Sequence, residues 1–276
     1  MSRKNKEKIF YYESESTDFL KMGEGTPSID GNYEYIKRGL FDKVRYFVYY
    51  RLFATPVAFL YTKLRFGERY VGRGKIRAYL RHAKRTGSSG AFLVGNHTQP
   101  VADAFTPNML SYPTRNYTVI HPSNLNMPVL GGALIYLGGL PTPTSLKGAR
   151  GFSLAVEECI KEGKAVTLYP EAHVWPFFTG VRHIEPEALR LAARLGAGVF
   201  TFTRVYRRRL FGIGCTVYVD GPFFAQADVG VKEGAETLAC RIEEVMKKRS
   251  EGSVDTGYRY VKKNQEDKKA QEEKRA

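Results

Sequence analysis

Short apolar runs that stop abruptly in polar, titratable residues recur along the chain. Ala91 to Gly95 (AFLVG) runs into Asn96-His97, and Ala165 to Leu168 (AVTL) runs into Tyr169-Pro170-Glu171. Apolar runs this short, bounded by turn residues, read as strands buried on both faces. Tyr70-Val71, Tyr117 to Ile120, Gly139 to Thr142, Val199 to Tyr206 and Thr216 to Asp220 read the same way. Between them lie stretches with helical spacing. These are Ile76 to Lys84, Asp103 to Leu110 (despite Pro107), Met127 to Leu137, Phe152 to Lys161, Pro186 to Leu195 and Glu233 to Lys248. The alternation predicts an α/β fold with a largely parallel central sheet flanked by helices.

The ends of the chain read differently. Residues 1–33 carry small polar residues and the breakers Gly23, Gly25, Pro27 and Gly31, which predicts a poorly ordered arm. Residues 34–66 form a basic, aromatic helical segment, residues 67–250 the α/β domain, and residues 251–276 a charged tail, of which Lys262 to Ala276 reads as a frayed helix or disordered.

Charge sharpens the reading of the second segment. The chain carries a net charge of +15, which points to an anionic partner. From Lys37 to Arg85 there are fourteen Lys or Arg and only two acids, Asp42 and Glu68. Inside that stretch lies YFVYYRLFATPVAFLY, Tyr46 to Tyr61, interrupted by Arg51 and Pro56. It is too short to cross a bilayer comfortably but suits an amphipathic helix lying in an anionic membrane surface. Each basic side chain near such a surface contributes about 1 kcal/mol. A buried core helix with a solvated basic face is the alternative. No nucleic-acid partner is expected: no recognisable module is present, and the positive charge runs with aliphatic and aromatic bulk.

Cys159, Cys215 and Cys240 are widely spaced without a C-x-x-C pair, which excludes a zinc knuckle and disfavours a disulfide framework. No apolar h-region follows the charged start, so an intracellular protein is expected. Val71-Gly72-Arg73-Gly74-Lys75 lacks the spacing of a phosphate loop, and Arg207-Arg208-Arg209 reads as a solvated hairpin turn.

His97 and Asp103 are the candidate catalytic pair. An imidazole takes a proton near neutral pH, and a carboxylate on its second nitrogen fixes the tautomer. A lone His near a lone Asp is also a common structural pair. The arrangement Asn96-His97-x5-Asp103 resembles the N-H-x4-D block of the glycerophospholipid acyltransferase family, which includes lysophosphatidic acid acyltransferase. It is one residue longer, so the pair meets only if Thr98 to Val101, containing Pro100, forms a loop that absorbs the addition. Tyr169-Pro170-Glu171-Ala172-His173-Val174 is similar to the family's F-P-E-G-T-R, keeping Pro and Glu alone. Pro176-Phe177-Phe178-Thr179-Gly180 resembles P-F-K-K-G without its lysines, and Gly138 to Thr144, the stretch corresponding to the family's G-x-x-F-I-x-R, has no Arg.

The resemblance covers about Phe66 to Pro222 and implies an acyltransferase domain at the membrane's cytoplasmic face, peripheral or monotopic. His97 is then the general base and Asp103 its orienting acid. A fatty acyl group passes from acyl-CoA or acyl-carrier protein to a lysophospholipid hydroxyl, most simply 1-acyl-sn-glycerol-3-phosphate. The thioester is a consumed substrate, and neither cofactor nor metal is expected. Candidate substrate-binding residues are Asn96, Glu171, His173, Arg182, Lys147 and Arg150, the last four replacing lost family donors; Glu171 reads equally as an ion-paired loop anchor. The competing reading is a non-catalytic membrane-binding protein on the same scaffold.

Overall fold

The computed structural model describes residues 7–20, 25–128, 131–210 and 212–263. In chain order the strands are β1 (Lys8–Tyr12), β2 (Arg69–Val71), β3 (Ala91–Gly95), β4 (Asn116–Ile120), β5 (Gly139–Pro141), β6 (Ala165–Leu168), β7 (Gly198–Arg208), β8 (Ile213–Phe223) and β9 (Tyr258–Lys262). The α-helices are α1 (Leu40–Tyr46), α2 (Thr55–Phe66), α3 (Arg73–Thr86), α4 (Ala102–Ser111), α5 (Leu146–Lys161), α6 (Arg190–Leu195) and α7 (Val231–Ser250).

Seven strands form one sheet in the order β2-β8-β7-β3-β6-β4-β5. β3 to β7 are mutually parallel. β8 returns antiparallel to β7, and β2 runs parallel to β8. The fold is therefore α/β with a mostly parallel sheet. Alternate residues of β3 separate into two cores, as expected for a strand covered on both sides. Phe92 and Val94 pack with Val156 and Ile160 of α5 and Leu238 and Ile242 of α7. Ala91 and Leu93 pack with Ile76 and Leu80 of α3 and Leu110 of α4.

Strand registration near the core depends on one close approach. The Gly90 backbone N–H bonds to Ile160 O at 2.7 Å, and a Cβ at Gly90 would sit 1.9 Å from Lys164 O. Only glycine allows β3 to start this near β6.

Two expectations change. Met127 to Leu137 is not an apolar helix: Pro122–Asn126 and Gly131–Ala133 are short 3-10 turns, and residues 129–130 lie outside the described chain. The reason is local. A Cβ at Gly131 would meet Leu125 O at 1.9 Å, so the chain folds back on itself there instead of extending a helix. The N-terminal arm also differs, because Lys8–Tyr12 finds a partner strand in Tyr258–Lys262; the tail expected to be frayed or disordered lies, from 264 to 276, outside the described residues. β1 pairs in parallel with β9, from Lys8 with Tyr258 to Tyr12 with Lys262. Aromatic rings of Phe10, Phe19, Trp175 and Tyr260 interlock beneath this pair.

α1, a π-helical turn (Phe47–Ala54) and α2 follow one another without a break. Ala58, Thr62 and Phe66 face the body of the protein. Leu40, Phe41, Phe53, Phe59, Leu60 and Leu64 are all more than half exposed. No helix among the described residues is long and apolar enough to cross a membrane.

Candidate active site

The carboxyl ends of β3 and β6 are neighbours in the sheet, and each leads into one of the two polar loops read from the sequence. Open α/β sheets carry their sites at this end. The two loops are stitched together by backbone bonds: Trp175 N–H to His97 O at 3.0 Å and Phe177 N–H to Thr98 O at 2.8 Å.

His97 Nδ1 lies 2.9 Å from Asp103 Oδ2. The residue added between them is absorbed in the loop before α4, which begins only at Ala102. Asp103 Oδ2 also accepts the Gln99 N–H at 2.8 Å, closing that loop on the carboxylate. Because Asp103 presents an acceptor, Nδ1 carries the imidazole proton and Nε2 keeps its lone pair. Nε2 has no hydrogen-bond partner among the described residues, and the His97 side chain is 19% exposed against 2% for Asp103. The Tyr169 ring stacks on the imidazole at 4.3 Å between centroids, and its hydroxyl donates to Asp103 O at 2.6 Å. Burial, then the nearby Asp103 charge, push the Tyr169 phenol well above its ordinary range, so it stays a donor.

Behind Asp103 lies a buried charge centre. Arg204, in the middle of β7, donates from Nη2 to Asp103 Oδ1 at 3.2 Å and to Thr106 Oγ1 at 2.7 Å. Its Nη1 pairs with Glu68, which also accepts from Tyr70 and Thr106. Burial alone lowers the guanidinium pKa; Glu68 and Asp103 outweigh it and hold the value well above the ordinary one. The imidazole thus rests on a carboxylate that is itself braced by a fixed cation.

The other candidate residues fall into three groups. Asn96 is 1% exposed and clasps the β7 backbone, accepting from Arg204 N–H at 2.8 Å and donating to Arg204 O at 3.2 Å. It extends the sheet by one pairing and does not open to the surface. Glu171 and Arg182 form a buried pair at 2.9 Å. Glu171 also accepts the His97 and Arg182 backbone N–H groups, each at 3.2 Å. Burial pushes the Glu171 carboxyl up, with Arg182 and these N–H groups pulling it back. Arg182 also donates to Glu15 O and His173 O and stacks on Trp175, while its buried Nε has no partner among the described residues. The pair is therefore the ion-paired loop anchor, not an open donor set.

His173 is about one-third exposed, with Asp18 Oδ2 3.8 Å from its Nδ1. Lys147 and Arg150 begin α5, which follows β5 at the sheet edge. Among the described residues no hydrogen bond or ion pair joins either cation to His97, Asp103 or the loop after β6.

The sequence reading missed Arg204, Glu68 and the arm residues Glu15 and Thr17, whose carbonyls accept from Arg182 and Trp175. A signal existed for the first two. An Arg inside the apolar strand Phe202-Thr203-Arg204-Val205 needs a buried acid, and Glu68 is one of only two acids in the basic run. A further mark of the loop is Ala172, held at φ +60, a conformation glycine takes freely. Among the described residues no three His, Cys, Asp or Glu side chains gather to hold a metal ion. The chain matches no protein-family model and no curated protein.

Proposed function

We propose that the chain is a membrane-associated O-acyltransferase of the glycerophospholipid acyltransferase type. The observation that carries this reading is the 2.9 Å contact between His97 Nδ1 and Asp103 Oδ2, which leaves Nε2 unpartnered at the carboxyl end of a parallel sheet. In this mechanism Nε2 takes the proton of a lysolipid hydroxyl as its oxygen attacks the carbonyl carbon of an acyl thioester. Asp103, braced by Arg204, stabilises the imidazolium. Collapse of the tetrahedral adduct expels the thiolate, which recovers the proton from His97. The products are the O-acyl ester and the free thiol.

The exposed apolar helices supply the setting. Val57, Leu60, Tyr61 and Leu64 line a groove on α2, and the Tyr61 ring packs edge-on against Phe105 of α4 at 5.7 Å between centroids. That groove lies against the helix that carries Asp103. In this reading α1 to α2 form the amphipathic segment seated in an anionic leaflet, with acyl chains reaching the site laterally. A lysophospholipid is the acceptor class, 1-acyl-sn-glycerol-3-phosphate its simplest member. Acyl-CoA or acyl-carrier protein is the donor, and no organic cofactor enters the chemistry.

The test is direct. Purified protein, one isotopically labelled acyl thioester and a mixture of lysolipids are expected to yield a labelled diacyl lipid by mass spectrometry. No labelled ester across the panel removes the enzymatic reading. The turned-in Arg182 favours an alternative, a scaffold that binds membrane without acyl transfer.

Membrane docking has its own test. Burying a Phe or Leu side chain contributes about 1.5–3 kcal/mol. Phe41→Ser with Leu64→Ser is therefore expected to weaken sedimentation with anionic vesicles at least about tenfold, without altering the circular dichroism spectrum. Unchanged binding would show that this face does not meet lipid.

A further inference from the structure

A second concave site lies at the opposite end of the sheet from His97. It is a cavity of about 920 Å³ bordered by the segments that lead into β4 and β6, by α3, and by the helical rod near Tyr46 and Arg51. Nine Lys and Arg side chains line it, against two acids, Glu158 and Glu162. Among the described residues only two of the nine have a carboxylate partner: Arg38 pairs with Glu158 and Lys37 with Glu34 outside the cavity lining.

The unpaired cations come from separate elements and converge. Arg77 and Arg81 lie one turn apart on α3, and Lys43 belongs to α1. Arg115 enters from the loop before β4, its guanidinium wedged between the rings of Tyr46 and Tyr117 at 3.8 and 4.5 Å. Among the described residues the buried Nε atoms of Arg77 and Arg115 have no hydrogen-bond acceptor. Burial first, and then Arg73 and Arg81, lower the Arg77 guanidinium pKa, a sign of uncompensated positive charge. Solvated surface cations ordinarily point apart; here they are held together around a hollow by ring stacking and by the bond from Arg51 Nη2 to Pro113 O at 2.6 Å.

We infer that this cavity binds a phosphate-bearing ligand carrying two or more negative charges, separately from the His97 site. Arginine forks match phosphate oxygens in pairs, and several converging cations favour a monoester dianion or a diphosphate over a singly charged diester. Two sources share this chemistry: a phosphomonoester lipid headgroup entering beside the apolar rod, and a soluble diphosphate compound. The inference does not depend on acyl transfer.

The experiment uses the full chain in phosphate-free, low-salt buffer. Inorganic pyrophosphate is expected to raise the melting temperature of the wild type. Arg77→Gln with Arg81→Gln is expected to melt higher than wild type without ligand, because like charges are relieved, and to bind pyrophosphate at least about tenfold more weakly. Lys43→Gln with Lys84→Gln, both at exposed positions, repeats the test without touching buried atoms. A lipid source is indicated when phosphatidylcholine vesicles doped with phosphatidate bind better than those doped with phosphatidylglycerol, and pyrophosphate and both double variants abolish that preference. A soluble source is indicated when pyrophosphate binds but leaves vesicle binding unchanged. Pyrophosphate and phosphatidate binding equal to wild type in both double variants would overturn the site.

Discussion

Replacing His97 with alanine is expected to lower acyl transfer about 10²–10⁴-fold, the usual contribution of a positioned general base. Stability should barely change. Among the described residues the imidazole's only side-chain hydrogen bond is to Asp103, and that carboxylate keeps both the Gln99 N–H and Arg204 as donors. Asp103→Asn separates orientation from proton transfer. Oδ2 receives a backbone N–H and Oδ1 receives a guanidinium N–H, so an amide NH₂ at either position faces a donor. If it faces Gln99 and His97, it donates to Nδ1 and moves the imidazole proton to Nε2, which abolishes the base. Loss on the order of 10⁴ follows for an Asp-to-Asn change in the related serine-hydrolase arrangement, and the same order is expected here. Single-turnover acyl transfer measures both variants. A wild-type rate in His97→Ala would end the assignment of His97 as base.

Arg204→Met is expected to cost about 3–5 kcal/mol of stability, because Glu68 and Asp103 are left buried without their cation. Urea unfolding reads the loss as a lower midpoint at an unchanged slope. Adding Glu68→Gln should recover part of it, since the uncompensated carboxylate is then gone. Losses that simply add in the double variant would mean that Arg204 and Glu68 do not depend on each other. The same Arg204→Met chain should transfer acyl groups poorly even where it is folded, because Asp103 then has one brace fewer behind His97. A destabilised but fully active variant would confine Arg204 to a packing role.

The strands around the site were legible because they are short, apolar and bounded by abrupt polar stops. Ala91–Gly95 and Ala165–Leu168 coincide with the segments read from the sequence. Period alone misjudged Met127 to Leu137, where apolar content looked helical but Pro128 and two adjacent glycines redirect the backbone. The His97–Asp103 spacing was readable as a question, not an answer. Six residues apart falls off a helix face, and along a strand it shares a face only at about 20 Å separation, so only the loop through Pro100 brings the groups together. Glu171 and Arg182 illustrate the opposite limit. Opposite charges eleven residues apart carry no information about whether they face water or each other. The tertiary packing of Trp175 over Arg182 decides that they pair internally.

The pairing of β1 with β9 has a consequence for how the molecule is assembled. About 250 residues separate the paired positions, and a ribosome adding about 5–20 residues per second needs many seconds to span them. Throughout that interval the arm that caps Arg182 and Trp175 has no strand to lie against. The nascent chain therefore completes its large sheet before the rim of the His97 site, and a protease acting early would find the arm still open.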